Sequence, residues 1–304
     1  MPRPPKGKQQ RPLNDKIMKK FLVLTVTFAL SLAAGLQDAS AQATINTKKV
    51  RISDFTTKTT KVVLSGSEMF NLSLKDEVSR RWRVTPFEFC TPEEFESIKT
   101  NQNYYFLMPV DSRLKKETAP GVSELRLFKG GTEGGKNPQT DVVEVVSVPY
   151  GPSDYPTGRE FTFLPAILDV IQCYAMDATA SDRVAYGTLT GYATNIMKAS
   201  GKTVYISSDD LTAAAAATQG LQEKGVLIKD EDEVDNVFAS ETADALVGYV
   251  VAPTNPEKNS VCYKMIFAAD THELFYFEKH TLKGSSDAAG FLPFDLKIIS
   301  NRKK

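Results

Sequence analysis

The fold is first indicated by the stretch Val84-Thr-Pro-Phe-Glu-Phe-Cys90 and by Thr91-Pro92-Glu93-Glu94, which follows it directly. Its first part alternates in polarity, which predicts a strand. In its second part, threonine at the N-cap, proline at the first helical position and glutamate at the third form a capping box, so we expect a helix from Pro92 to about Lys99. A strand that leads straight into a helix indicates a chain that mixes both kinds of element.

Outward from this stretch, one order of elements occurs twice. The pattern from Lys61 to Val148 reads β-α-β-α-β-β-β, and the pattern from Lys202 to Leu282 reads the same. In both halves the third strand runs into a proline, at Pro109 and at Pro253. The sequence therefore predicts an α+β fold of two similar lobes, each a mixed sheet with helices packed on it. Internal duplication explains the repeat, and chance recurrence of a common pattern is the alternative.

Three helices complete the predicted lobes. We expect one helix capped by Ser73, with Leu74, Val78 and Trp82 on a single buried face. A second, apolar helix covers residues 161–176. A third, alanine-rich helix starts at Ser208 and ends before Gly225.

A turn-rich segment separates the two predicted lobes. Residues 150–158 contain two prolines and two glycines, which favours a boundary here. We therefore divide the chain into an N-terminal extension with a signal peptide at residues 1–41, a first lobe at 42–153, and a second lobe with a helical lead-in at 154–304.

The N-terminal segment has the pattern of a secretory signal peptide. Basic residues precede the apolar run Phe21–Leu36, and Ala39 and Ala41 form a cleavage site. An apolar run of this length spans only about 24 Å of the ~30 Å hydrocarbon core, so we predict cleavage after Ala41 and no membrane span afterwards. A short membrane anchor or a buried core helix is the alternative. Translation that starts at Met18 would explain the residues before it.

The charge of the mature chain limits its partners. Residues 1–41 hold seven of the 37 basic and two of the 37 acidic residues, which leaves 30 basic and 35 acidic residues and a net charge near −5. A mildly acidic chain without a basic block argues against nucleic acid and anionic membrane surfaces as ligands.

Three motifs suggest a family without an activity. The stretches 82–95, Gly248-Tyr-Val-Val-Ala-Pro253 and Thr271-His-Glu-Leu-Phe-Tyr-Phe277 resemble motifs of uncharacterised exported proteins from Bacteroidetes-type bacteria. The element order is also similar to the small α/β envelope domains of curli-secretion and TolB-type proteins, in pattern only. The resemblance implies an exported location and supplies no catalytic residues.

Two motifs approach a known ligand site but do not complete it. Gly130-Gly-Thr-Glu-Gly-Gly-Lys136 resembles a phosphate-binding loop, but Asn137 and Pro138 follow where Ser or Thr and a helix are needed, so we expect a hairpin loop. The acidic run 230–235 lacks the glycine that a calcium loop needs at its sixth position. Carboxylates in the first turn of a helix explain this run.

The two histidines, His272 and His280, are the first residues to consider for a metal site. Eight residues on a strand separate them by about 26 Å, too far to hold one ion. His272 stands where a tight hairpin favours a left-handed residue, and we expect its ring to be dispensable. We predict no metal site and no cofactor.

Other potential catalytic groups have structural explanations. The pairs Glu93-Glu94 and Asp209-Asp210 each open a predicted helix, which indicates capping. Cys90, Cys173 and Cys262 lie in apolar runs, which favours buried thiols over one disulfide with a spare thiol. Cys262 is close in sequence to His272, so Cys-His catalysis stays open, although an apolar strand makes a thiol inert.

These observations support two functional hypotheses. The first is an exported, periplasmic or outer-envelope protein, or a secreted one, that binds a protein partner or acts as a scaffold without catalysis. The second is a secreted hydrolase that acts on glycan or peptide through carboxylates distant in sequence. The sequence assigns no catalytic, cofactor-binding or metal-binding residue.

Overall fold

The computed structural model describes residues 51–113, 117–131, 142–185, 189–283 and 289–302. The predicted signal peptide and most of the loop 130–136 therefore lie outside the described residues. Cleavage after Ala41 and the hairpin at that loop stay predictions.

The first sheet is mixed and has five strands. They are β1 (Thr59–Val63), β2 (Phe87–Cys90), β3 (Tyr104–Ser112), β4 (Val122–Lys129) and β5 (Val143–Pro152). Their order in the sheet is β2-β1-β3-β4-β5. β1 pairs in parallel with β2 and β3, whereas β4 and β5 complete the sheet by antiparallel pairing.

The second sheet repeats this arrangement. Its strands are β6 (Thr203–Ser207), β7 (Val226–Lys229), β8 (Ala245–Val251), β9 (Val261–Ala268) and β10 (Leu274–Thr281), in the order β7-β6-β8-β9-β10. β6 pairs in parallel with β7 and β8, and β8, β9 and β10 pair antiparallel. The predicted α+β fold of two similar lobes is confirmed.

Seven α-helices accompany the sheets in the described part of the chain. They are α1 (Glu68–Arg81), α2 (Pro92–Ile98), α3 (Arg159–Ala180), α4 (Asp182–Ala185), α5 (Ala213–Ala216), α6 (Glu231–Ala239) and α7 (Pro293–Ser300). Short 3₁₀ helices occur at Phe55–Thr57, Leu189–Lys198, Ser208–Asp210 and Gln222–Lys224.

The two sheets do not use equivalent faces to form their shared core. The strand registers make Tyr105 on β3 the counterpart of Leu246 on β8. Tyr105 belongs to the core that contains α3, the helix after β5, whereas Leu246 belongs to the core that contains α7, the helix after β10. The helix α3 therefore packs against one face of the first sheet and against the opposite face of the second sheet.

The central helix α3 has more buried residues than any other described helix. Phe163, Leu164, Ile167 and Ile171 are fully buried in the core that the two sheets share. Of the described helices, α3 alone is long and apolar enough to cross a membrane by length and composition, but 61% of its apolar window is buried inside the protein. The sheets therefore explain its hydrophobicity.

Three expectations about local structure were wrong. α1 begins at Glu68 rather than after Ser73, because the Ser67 side chain accepts a bond from Phe70 N and caps it. β3 continues through Pro109, where β1 no longer pairs with it and only β4 lies alongside. The alanine-rich helix is reduced to residues 213–216, since Leu211 forms a bridge with Phe291 and holds the chain extended.

Candidate functional site

The strongest cluster of charged groups lies at one edge of the second sheet. The parallel strands β6 and β7 end side by side there. Asp210 follows β6, and α6 begins directly after β7 with Asp230 as its N-cap. The edge beyond the carboxyl ends of parallel strands is where α/β folds commonly place ligands. We therefore call Arg159, Asp210, Glu231 and Asp235 the arginine cluster.

Arg159, the first residue of α3, is the centre of this cluster. Its Nη1 lies 3.2 and 3.1 Å from the two carboxylate oxygens of Asp210. Its Nε and Nη2 donate to Asp235 at 3.1 and 2.9 Å. Oε2 of Glu231 lies 3.3 Å from Nη1. One guanidinium thus contacts three carboxylates that come from two other elements.

Aromatic rings and burial shield Arg159 and Asp210 of this cluster from water. The guanidinium carbon of Arg159 lies 5.2 Å from the ring centre of Tyr249 and 5.4 Å from that of Phe163, within the range of cation–π attraction. The side chains of Arg159 and Asp210 are 7% and 8% exposed, whereas that of Glu231 is 42% exposed. The cluster is buried at Asp210 and reaches solvent at Glu231.

Burial changes the proton affinity of this cluster. It raises the pKa of Asp210 to about 7, although Arg159 acts in the opposite direction. Burial likewise raises the pKa of Glu231. For Arg159, burial acts to lower the pKa, but Asp210 and Asp235 outweigh it and raise the pKa. The raised pKa of Asp210 places the protonation of this carboxyl near neutral pH.

The geometry does not fit the two usual uses of a carboxylate cluster. In a glycoside hydrolase, two carboxyls face each other across an open cleft at about 5–9.5 Å. Here Asp210 and Asp235 bind the same guanidinium, and Asp210 is buried. Within the described ranges, no group of three or more His, Cys, Asp or Glu side chains is arranged to hold a metal ion.

The acidic run 230–235 is where the sequence predicts it. The Asp230 side chain accepts a 2.8 Å bond from Glu233 N, and the run forms the first turn of α6, as expected. Sequence reasoning missed that Glu231 and Asp235 also pair with Arg159. The one available signal was an arginine at the start of an otherwise apolar helix.

The two adjacent carboxylate pairs behave differently from each other. Glu94 N donates to the Thr91 side chain at 3.2 Å, so the predicted cap at Glu93-Glu94 is confirmed. Asp209-Asp210 is no cap of a long helix: Ser207 caps a single 3₁₀ turn, and Asp210 turns inward to Arg159. That part of the capping interpretation was wrong.

The histidines have separate positions, and the turn predicted at His272 is confirmed. Its backbone is left-handed, with φ 57°. The His272 ring also contacts other side chains, contrary to the expectation that it is dispensable. Nδ1 lies 2.7 Å from Asp169 Oδ2, and the ring stacks on Phe238 with centres 5.2 Å apart. Arg81 approaches the same Asp169 oxygen at 3.4 Å. The strand register places His280 opposite Cys262 instead.

The cysteines are all free, and two of the three are buried as predicted. Cys90 and Cys262 are buried, whereas Cys173 is exposed on α3, which corrects the expectation for that residue. Burial raises the pKa of Cys90 to about 11 and that of Cys262 to about 12. Cys262 Sγ accepts a 3.2 Å bond from Gly290 N and holds the chain before α7. A protonated, buried thiol is a poor nucleophile, so the geometry gives no support to Cys-His catalysis.

A small crevice lies elsewhere, where β3 and β4 of the first sheet approach β9. Its volume is about 10 Å³, close to the space of one water molecule. It is lined by Ser112, Glu117, Val122, Val261 and Tyr263. This crevice is too small for a substrate.

Comparisons with known proteins add no family to this geometry. No protein-family model, no curated protein and no solved structure matches the chain.

Proposed function

We propose that the mature chain is an exported, non-catalytic protein of the cell envelope that binds a protein partner or supports an assembly. The location rests on the signal-peptide pattern of residues 1–41 and on the resemblance to exported proteins of Bacteroidetes-type bacteria. The mildly acidic mature chain favours a protein partner over nucleic acid.

An exposed apolar pair on α1 carries the binding part of this proposal. Met69 and Leu72 are 67% and 66% exposed, while Phe70, Leu74 and Val78 of the same helix are buried. Residues three apart on a helix lie side by side. Because exposed neighbouring apolar side chains favour a binding surface, we assign partner contact to this side of α1.

The arginine cluster supports the non-catalytic part of the proposal. Its carboxylates share a guanidinium instead of facing a cleft. A hydrolase would need at least one carboxyl open to substrate and a second one opposite it. The hydrolase hypothesis is therefore less well supported than binding.

Site-specific photo-crosslinking tests the proposal. A photoreactive amino acid at Leu72 should give a defined crosslinked protein in intact producing cells. The same amino acid at Gln219, an exposed polar position in the second lobe, is the control. Equal, diffuse labelling from both positions would count against a binding surface on α1.

Processing of the N-terminus tests the location separately. N-terminal sequencing of the exported form should begin at Gln42. Recovery of intact residues 21–36 in membrane-embedded protein would refute cleavage after Ala41.

A further inference from the structure

The arginine cluster contains more negative than positive charge. One guanidinium faces the carboxylates of Asp210, Glu231 and Asp235. The other titratable groups that act on the cluster are Glu160 on α3, Asp209 after β6, Asp232 on α6, Tyr249 on β8 and Cys262 on β9. None of these adds a positive charge.

Such an excess is costly in a buried site. Removing ionised carboxylates from water is unfavourable unless each is paired, and Arg159 can neutralise only one of the two mostly buried carboxylates, Asp210 and Asp235. A bound proton or a bound cation would relieve the excess. Because no metal-holding arrangement occurs among the described residues, a proton fits this cluster better than a cation.

Asp210 also holds a second part of the chain. Its backbone carbonyl accepts a 2.8 Å bond from Phe291 N, in the segment that leads into α7. Gly290 packs so closely that a Cβ there would lie 2.6 Å from the same carbonyl oxygen. Asp210 thus contacts both the start of α3 and the segment before α7.

We propose that the arginine cluster is a proton-operated latch. When the Asp210 carboxyl holds a proton, Arg159 neutralises the Asp235 carboxylate and fastens the start of α3 to the second sheet, while the Glu231 carboxylate is partly in solvent. When that proton leaves to solvent, the excess negative charge loosens the contacts of Arg159 and of the segment before α7. This latch is independent of the proposed envelope function.

The direction of the pH effect follows from the folded state holding the proton more tightly. The pKa of Asp210 rises from 3.8 to about 7 on folding. The contribution to stability is therefore complete below about pH 4 and is lost as the pH rises towards about 7. Carboxylates with a lowered pKa, such as Asp154, contribute stability that is lost as the pH falls, which is the opposite pH dependence. The contribution of Asp210 must be measured as a difference between variants.

The test compares Asp210→Asn with Asp209→Asn in the full mature chain. Asparagine keeps an acceptor for Arg159 but cannot ionise. Asp209 is the exposed neighbour and acts on Glu231 only through space, so its replacement makes the same charge change without removing a contact of Arg159. Urea unfolding is recorded from pH 4 to pH 8. Hydrogen exchange at residues 158–163 reports the start of α3.

The ratio of the wild-type to the Asp210→Asn unfolding constants should rise by up to about tenfold per pH unit and level off above about pH 7. Asp209→Asn should stay parallel to the wild type. Exchange at residues 158–163 should quicken with pH beyond its intrinsic rise in the wild type only. Parallel curves for wild type and Asp210→Asn would overturn the latch.

Infrared spectroscopy of wild type labelled with ¹³C-aspartate keeps the proposal testable if Asp210→Asn does not fold. A protonated carboxyl band should persist at about pH 6, where ordinary aspartates are ionised, and vanish at about pH 8. Absence of the band at pH 6 would refute proton binding. A band that disappears on addition of Ca²⁺ at that pH would show that the cluster prefers a cation, which also refutes the latch.

Discussion

The hydroxyl of Tyr249, on β8 of the second sheet, donates a 2.6 Å hydrogen bond to the backbone carbonyl of Tyr150, on β5 of the first. The two residues are 99 positions apart in the sequence. Phe163 of the central helix stacks on the Tyr249 ring, with centres 4.1 Å apart. This contact joins both sheets and α3 at one point, close to the arginine cluster.

Tyr249→Phe should destabilise the fold by about 1–2 kcal/mol. The substitution keeps the stacked ring but removes the donor to a buried carbonyl, which costs about this much when a polar group loses its partner. Urea unfolding measures the change. Tyr205→Phe, at a half-buried position on β6, is the matched control and should change stability less. Equal effects of the two variants would show that the hydrogen bond contributes little.

Trp82→Ala should cost roughly 3–5 kcal/mol, because it removes a large buried side chain. Trp82 is 2% exposed and follows the last residue of α1, and its Nε1 donates a 2.8 Å bond to Thr85. The predicted burial of Trp82 is thus confirmed. Its fluorescence emission should be blue-shifted in the folded wild type and move to the red on unfolding. An emission maximum that does not move would contradict this position.

His272→Gly should lower the stability by about 1–3 kcal/mol, contrary to the expectation from sequence that the ring is dispensable. Glycine suits the left-handed backbone, but the substitution removes the bond to Asp169 and the stacking on Phe238. Thermal scans with Zn²⁺ and with EDTA measure the effect, which should not depend on the metal.

Asn259→Gly is the control for the effect of relieving a left-handed backbone conformation. Asn259 also has a positive φ, 79°, so its replacement by glycine relieves the same strain without removing a buried ring. It should leave stability unchanged or slightly raised. If His272→Gly behaves like this control, the ring contributes nothing, and a zinc-dependent rise lost in both His272→Gly and His280→Ala would restore the metal hypothesis.

Thiol labelling should detect one cysteine in the native protein and three after unfolding. Cys173 is exposed, whereas Cys90 and Cys262 are buried. Burial and the neighbouring Asp169 raise the pKa of Cys173, so its labelling should be slow at neutral pH and faster in alkali. Cys173→Ser should abolish native labelling. Fast reaction of two or more thiols in the folded state would show that a buried strand opens readily.

Local features of the fold could be predicted because their causes lie within a few residues. The N-cap at Thr91 and the left-handed turn at His272 depend on neighbouring backbone groups, and the structure has both. The repeated element order also predicted two sheets with the same strand order.

Local propensity failed where a distant segment competes with it. Five consecutive alanines favour a helix, yet only Ala213–Ala216 are helical, and the helix starts no earlier because Thr212 N donates to Phe291 O, 79 residues away. The start of α1 was also missed. Phe70 lies on the buried face of this helix because the Tyr150 ring stacks on it, and the local sequence does not indicate this contact.

The sequence alone was enough to predict the two-lobed α+β fold, most of the strands and the cap at Thr91, since these follow from periodicity and short-range hydrogen bonds. Only the tertiary structure decided the arginine cluster. Arg159 lies 51 residues from Asp210 and 76 from Asp235, and no local pattern marks them as partners. They meet because α3 packs between the two sheets, which brings its first residue to the edge where β6 and β7 end. Their burial, and with it the raised pKa of Asp210, exists only after that packing.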